Sequence, residues 1–119
     1  MDRYLESRGV GESERQDVLD RLARTALVDD RRYATSRAAA LADRGAGDER
    51  IRYELVFAGI DPEIAEAALG SLESEARRAE RIVARRGASP KTARYLAGKG
   101  FADDVVHAAV AHARDEPLG

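Results

Sequence analysis

Three times along the chain a leucine stands four residues before a glycine, and an apolar residue follows that glycine directly. The copies are Leu5 with Gly9-Val10, Leu55 with Gly59-Ile60, and Leu96 with Gly100-Phe101. A helix that closes on a left-handed glycine leaves this trace, because the next apolar side chain folds back onto the last turn. Each copy leads into a segment with helix-start chemistry. Ser13-x-x-Gln16 reads as a capping box ahead of Val18, Leu19 and Leu22. Asp61-Pro62-Glu63 sets an N-cap, a first-turn proline and an acid in order. Asp103-Asp104 precede Val105, Val106, Ala109 and Val110. The recurring unit is therefore helix, tight turn, helix, and its repetition marks an array of small helical units.

Longer helices precede the second and third copies. One is expected to begin at Asp29-Asp30 and to run through Tyr33, Ala34, Ala38 and Leu41 to a break at Gly45 and Gly47. The other spans about Ser74 to Arg86, with Ala76, Ala79, Ile82 and Val83 on one side and the last three facing the core, and stops at Gly87, after which Ser89-Pro90 opens the next. No stretch alternates with period two over strand length. The fold class expected is all-α, built of tandem three-helix, helix-turn-helix-like repeats in a curved, elongated array. Residues 29–72 and 73–113 form two complete units. Residues 1–28 read as a first unit lacking its first helix, and residues 114–119 as a frayed tail.

Composition supports helices packed closely: of 119 residues 44% are hydrophobic but only 5% aromatic, so small side chains must build the core. There is no cysteine, which removes disulfides and thiolate metal sites. No apolar run approaches the roughly 18 residues of a membrane span, and a cytoplasmic protein is the expectation. His107 and His112 fall on different helix faces with no ligand cluster beside them, so no metal or cofactor is expected. Asp29 and Asp30 are neighbours whose side chains diverge, which suits capping better than acid–base chemistry. With no phosphate loop and no nucleophile motif, the chain does not read as an enzyme.

Charge is unevenly spread. Residues 77–99 hold eight bases (Arg77, Arg78, Arg81, Arg85, Arg86, Lys91, Arg94, Lys99) against one acid, Glu80, a local balance of +7. The first 70 residues hold 15 acids and 11 bases. Arg77, Arg81 and Arg85 line one helix face, flanked by Arg78 and Arg86. Such a stretch is either a solvated face or a contact for phosphate or an acidic protein surface. A second candidate patch lies around Arg50, Arg52, Val56 and Phe57. Ile51, Leu55 and Ala58 have core spacing, which leaves Val56 and Phe57 either to pack on a neighbouring unit or to anchor a partner. Tyr4, Tyr33, Tyr53 and Tyr95 are expected to pack between units rather than to stack on bases.

The run Leu27-Val28-Asp29-Asp30-Arg31-Arg32-Tyr33-Ala34 resembles the hallmark of the RecX family. Arg50-Ile51-Arg52-Tyr53-Glu54-Leu55 with Gly59-Ile60 looks like that family's second signature, and Arg94-Tyr95-Leu96-x-x-Lys99-Gly100-Phe101 is similar to its third. The resemblance covers about residues 3–112. Ala26, Asp48, Ala58 and Arg15 depart from the family's usual residues. What the resemblance implies is a non-enzymatic regulator, acting as a monomer, that lies in the groove of RecA assembled on single-stranded DNA. It would lower ATP hydrolysis, strand exchange and repressor cleavage, with roles in recombination, DNA repair and the SOS response. Arg77, Arg81, Arg85, Arg86, Lys91, Arg94 and Lys99 are the expected contacts, with Arg31, Arg32, Arg50 and Arg52 in second place. The competing expectation is direct, weak, salt-sensitive nucleic-acid binding through residues 77–99. Against duplex readout, the segment Asp61–Leu69 has no base and three acids.

Overall fold

The computed structural model describes the backbone of residues 2–115 and the side chains of residues 11–115. These residues form six helices, α1 (Asp2–Asp43), α2 (Asp48–Phe57), α3 (Pro62–Gly70), α4 (Glu75–Arg86), α5 (Pro90–Gly98) and α6 (Asp103–Asp115). The described residues contain no strand, and the all-helical expectation holds. The chain divides into two units, residues 1–32 and 33–119.

Two apolar cores build the second unit. In the first, Ala34, Ala38 and Leu41 of α1 meet Ile51 and Leu55 of α2, Ile60, and Ile64, Ala65, Ala68 and Leu69 of α3. In the other, Ala79, Ile82 and Val83 of α4 meet Leu96, Phe101, Val106 and Ala109. Alanine recurs in both cores among the larger side chains. Ala58, given a core place by spacing, is exposed, because α2 ends at Phe57 and Ala58 stands beyond its last turn.

One turn closes three helices. Ile60 N–H donates to Leu55 O and Phe101 N–H to Leu96 O, at 3.0 and 3.1 Å, around Gly59 and Gly100 with φ of +93° and +96°. These are the second and third copies of the motif, and the bond pattern satisfies carbonyls that a helix end leaves open. The same bond joins Ala46 N–H to Leu41 O at 3.0 Å around Gly45. Leu41-x-x-x-Gly45-Ala46 is thus a further copy, masked in sequence because alanine is a weak apolar marker. The following helices start as expected. Asp61 accepts from Glu63 N–H, Ser74 from Arg77 N–H and Ser89 from Thr92 N–H, with Pro62 and Pro90 in the first turns of α3 and α5. Asp103 and Asp104 occupy the first turn of α6, where carboxylates complement the helix dipole.

The first unit departs from expectation. α1 is helical through Gly9, Ser13, Asp29 and Asp30, so none of them ends or starts a helix. An interior glycine costs a helix only about 1 kcal/mol, and the surrounding Glu, Arg, Leu and Ala are strong helix formers. A glycine turn is worth forming only when the next helix has a core to cover. Gln16 bonds Asp20, four residues on at 2.9 Å, instead of closing a capping box. Asp29 and Asp30 are exposed on α1, as are Arg31 and Arg32. Val18, Leu19, Leu22, Leu27 and Val28 are all more than two-fifths exposed. Of the expected tail, Arg114 and Asp115 belong to α6, and residues 116–119 lie outside the described residues.

Candidate partner interface

The side chains that could meet a partner are held by a polar clasp joining the two cores of residues 33–119. The strand-like residue Gly47 donates its N–H to Lys99 O at 2.9 Å, and Glu49 N–H reaches Gly100 O at 3.2 Å. Backbone meets backbone here with nothing between. The Glu75 carboxylate accepts from Asp48 N–H at 2.6 Å and from Ala102 N–H at 3.3 Å. One anion thus sits at the starts of both α2 and α6, where free N–H groups and helix dipoles favour it. Arg78 completes the clasp. It is buried, donates to Ala46 O at 2.8 Å and to Glu73 O at 3.0 Å, pairs with Asp48, and stands 5.9 Å from the Phe101 ring centre. Asp48 serves this contact from the first turn of α2. Arg78 is therefore an internal strut and not a flank of the basic stripe.

The other bases of residues 77–99 remain outside. Arg77, Arg81 and Arg85 are exposed along one face of α4, and Lys91 and Arg94 are exposed on α5. Arg81 pairs with Glu73, a partner that the local count of acids had not included. Arg86 lies 3.5 Å above the ring centre of Tyr95, a cation–π contact that fixes both side chains. Tyr95 thus packs on the core of α4–α6, and its hydroxyl also borders Gly45 at the edge of the first core, 3.7 Å from where a Cβ would stand. Sequence reasoning missed two bases that join this set, Arg37 of α1 and Arg44 in the turn that follows it. They line one depression together, but they lie far outside the window in which charge is dense. Arg44 lines one depression with Arg85, Arg86 and Tyr95, and another with Arg37, Arg50 and Lys99.

The second patch splits by charge. Arg50 and Arg37 both approach Glu54, at 3.6 and 3.8 Å. Arg52 donates to Glu66 at 2.6 and 3.1 Å and lies 3.5 Å from Glu49, so its charge is already answered. The hydrogen bond from Arg52 holds the Glu66 carboxyl below its ordinary value, and the same bond raises Arg52. A depressed carboxylate contributes stability above the ordinary carboxylate range, and that contribution fades as pH falls through the depressed value. Arg52→Ala is expected to lower stability by about 0.2–1 kcal/mol near neutral pH, the range of solvated pairs. Urea titrations repeated in acid, below the carboxylate range, should bring the two proteins together. A deficit unchanged in acid would mean that Arg52 acts through packing instead.

Beside these paired charges stands an open apolar feature. Tyr53 and Phe57 stack one turn apart, ring centres 6.0 Å apart and 18° from parallel. Phe57 is 81% exposed and Tyr53 65%. Val56 and Tyr33 are also exposed. Of the two placements open to Val56 and Phe57, the outward one is observed. Tyr33 and Tyr53, expected to pack between units, do not.

Three-helix groups closed by glycine turns and fused through a polar clasp carry aromatic and cationic side chains outward. Residues 29–69 match the family model described as RecX, second three-helix domain. The chain is 35% identical over 118 residues to the regulatory protein RecX of Chromohalobacter salexigens, covering 92% of this chain and 78% of the relative. No solved structure matches the chain. The chain belongs to the RecX family. None of the helices among the described residues is long and apolar enough to cross a membrane.

Proposed function

We propose that this chain is a regulator of RecA that binds the recombinase assembled on single-stranded DNA and restrains its ATP hydrolysis, strand exchange and repressor cleavage. The observation that carries the reading is the similarity to a regulatory protein RecX along 92% of the chain. In this reading residues 1–28 belong to the first repeat, and residues 29–72 and 73–113 are the second and third. The regulator works by occupancy: its helices hold a surface steady while many modest contacts span the filament. Two kinds of contact are available. Phe57 and Tyr53 offer a stacked pair that can fill an apolar pocket, the type of residue that dominates interface energetics. Arg77, Arg81, Arg85, Lys91 and Arg94, with Arg31 and Arg32 in second place, offer charge that speeds and orients encounter with an acidic surface. Arg50 and Arg52 also stand in second place, each beside a carboxylate, Glu54 and Glu66, as Arg81 stands beside Glu73.

The test is RecA's ATP hydrolysis on single-stranded DNA, titrated with this protein. Inhibition is expected below stoichiometric amounts. Tyr53→Ser with Phe57→Ser should raise the concentration needed by at least about tenfold, the worth of a truncated anchor. Arg77→Glu with Arg81→Glu should weaken inhibition more at low salt than at high. A folded protein without effect at saturating excess would overturn the reading.

A further inference from the structure

We propose that α1 carries a self-complementary face, within residues 15–30, on which a second copy of this chain docks antiparallel. The proposal stands apart from RecA regulation and concerns the helix of the first unit alone. It replaces the monomer that the family resemblance implies.

Arg15, Leu19, Leu22, Ala26 and Asp30 recur along α1 at steps of four, three, four and four, and Ala23 stands four residues after Leu19. That spacing sets all six on one helical face. All six are exposed, Leu19 by 52% and Leu22 by 60%. Val18 and Leu27 stand at the two edges of the stripe and are exposed as well. An apolar stripe this open on a helix marks an interaction surface. Ala23 and Ala26 keep half of it low, so a second helix can come close and set leucine against alanine.

Charge decides what the second helix is. Arg15 stands seven residues before Leu22, and Asp30 seven after Ala23. The stripe therefore has a base at one end, an acid at the other and its centre between Leu22 and Ala23. Neither charge has an ion-pair partner among the described residues. An identical helix running the other way faces Arg15 with the second copy's Asp30, and Asp30 with the second copy's Arg15. In the same register Leu19 meets the second copy's Ala26, and Leu22 the second copy's Ala23. A two-fold axis through the centre makes each of these contacts twice, as an interface between like patches requires. A parallel pair would instead set Arg15 against Arg15 and Asp30 against Asp30, and like charges oppose it. The seam from Arg15 to Asp30 is about 22 Å long. That is short for an interface of two helices, so the expected dissociation constant is on the order of 10–100 µM.

Sedimentation velocity of the full chain, at concentrations from about 5 to 500 µM that bracket this constant, should show a reversible monomer–dimer equilibrium. Arg15→Asp alone and Asp30→Arg alone each put like charges at both ends of the seam, and each should weaken association at least about tenfold. The chain carrying both substitutions should associate as the unchanged chain does. So should an equimolar mixture of the two single variants, because opposite charges then face each other again. Leu19→Ser with Leu22→Ser should remove the dimer, with helicity by circular dichroism retained. A chain that stays monomeric throughout, or single charge variants that associate as well as the unchanged chain, would overturn the proposal. Dimers lost with Tyr53→Ser and Phe57→Ser instead would overturn it too, placing the contact on α2. So would RecA inhibition lost with Leu19→Ser and Leu22→Ser in a chain that never dimerises, which would give this face to RecA.

Discussion

Gly47→Ala is expected to destabilise the protein by about 3 kcal/mol or more, among the largest effects a single methyl group can have. Gly47 has φ of −82° and ψ of 171°, which alanine adopts freely, so the cost is steric alone. A Cβ there would lie 2.4 Å from Gly100 C and from Phe101 N, and 2.5 Å from Gly100 O. These are backbone atoms and cannot rotate away. Relief requires the loop to retreat, which breaks the Gly47–Lys99 and Glu49–Gly100 hydrogen bonds. For a unit of this size each kcal/mol moves Tm by about 4–8 °C, so thermal unfolding should fall by at least roughly 12 °C. Gly59→Ala is the control. Gly59 has a positive φ but open space around its Cβ position, so its cost is the left-handed strain of about 1–2 kcal/mol. If the Gly47 variant melted no lower than the Gly59 variant, the close approach would not be needed for stability.

The second large effect belongs to Arg78. Arg78→Ala is expected to cost about 2–4 kcal/mol, because it strands the buried Ala46 carbonyl and leaves Asp48 without its cation. Arg77→Ala, one residue away and exposed, should cost under about 0.5 kcal/mol. Arg78→Lys should recover little, since an ammonium cannot serve Ala46 O, Glu73 O and Asp48 from one rigid fork. Urea denaturation of the three variants separates these outcomes. Equal losses for Arg77→Ala and Arg78→Ala would refute the strut. A double-mutant cycle with Asp48→Ala then isolates the pair itself.

What the sequence made legible was local. The turns at Gly59 and Gly100 and the caps at Asp61, Ser74 and Ser89 involve partners within five residues. Residue type and spacing therefore suffice to find them. Two kinds of feature were hidden. Asp29-Asp30 and Ser13-x-x-Gln16 carry start signals that helix continuity overrode, since a cap adds stability only where a helix has reason to begin. Arg78 and Arg44 owe their roles to partners far along the chain. Arg78 reaches Ala46 across 32 residues, and Arg44 meets Arg85 only because α4 folds back beside the end of α1. Charge counting in a window grouped Arg78 with the surface and left Arg44 out. The aromatic pair lay between: the spacing of Ile51 and Leu55 turned Phe57 outward, but whether anything covered it was a tertiary matter.

The Glu75 carboxylate serves two helices at once, and this bears on how disorder could spread through the protein. In stacked repeats each unit is held by its own interior and by the boundary it shares with its neighbour. Here the boundary between the two cores is not only a surface of contact: the single side chain of Glu75 caps the start of a helix on each side of it. Fraying at the start of α2 and fraying at the start of α6 both release the same anion. Loosening in either place weakens the other through that carboxylate. The two helix groups are wired to soften together, so a load that strains one of them reaches both.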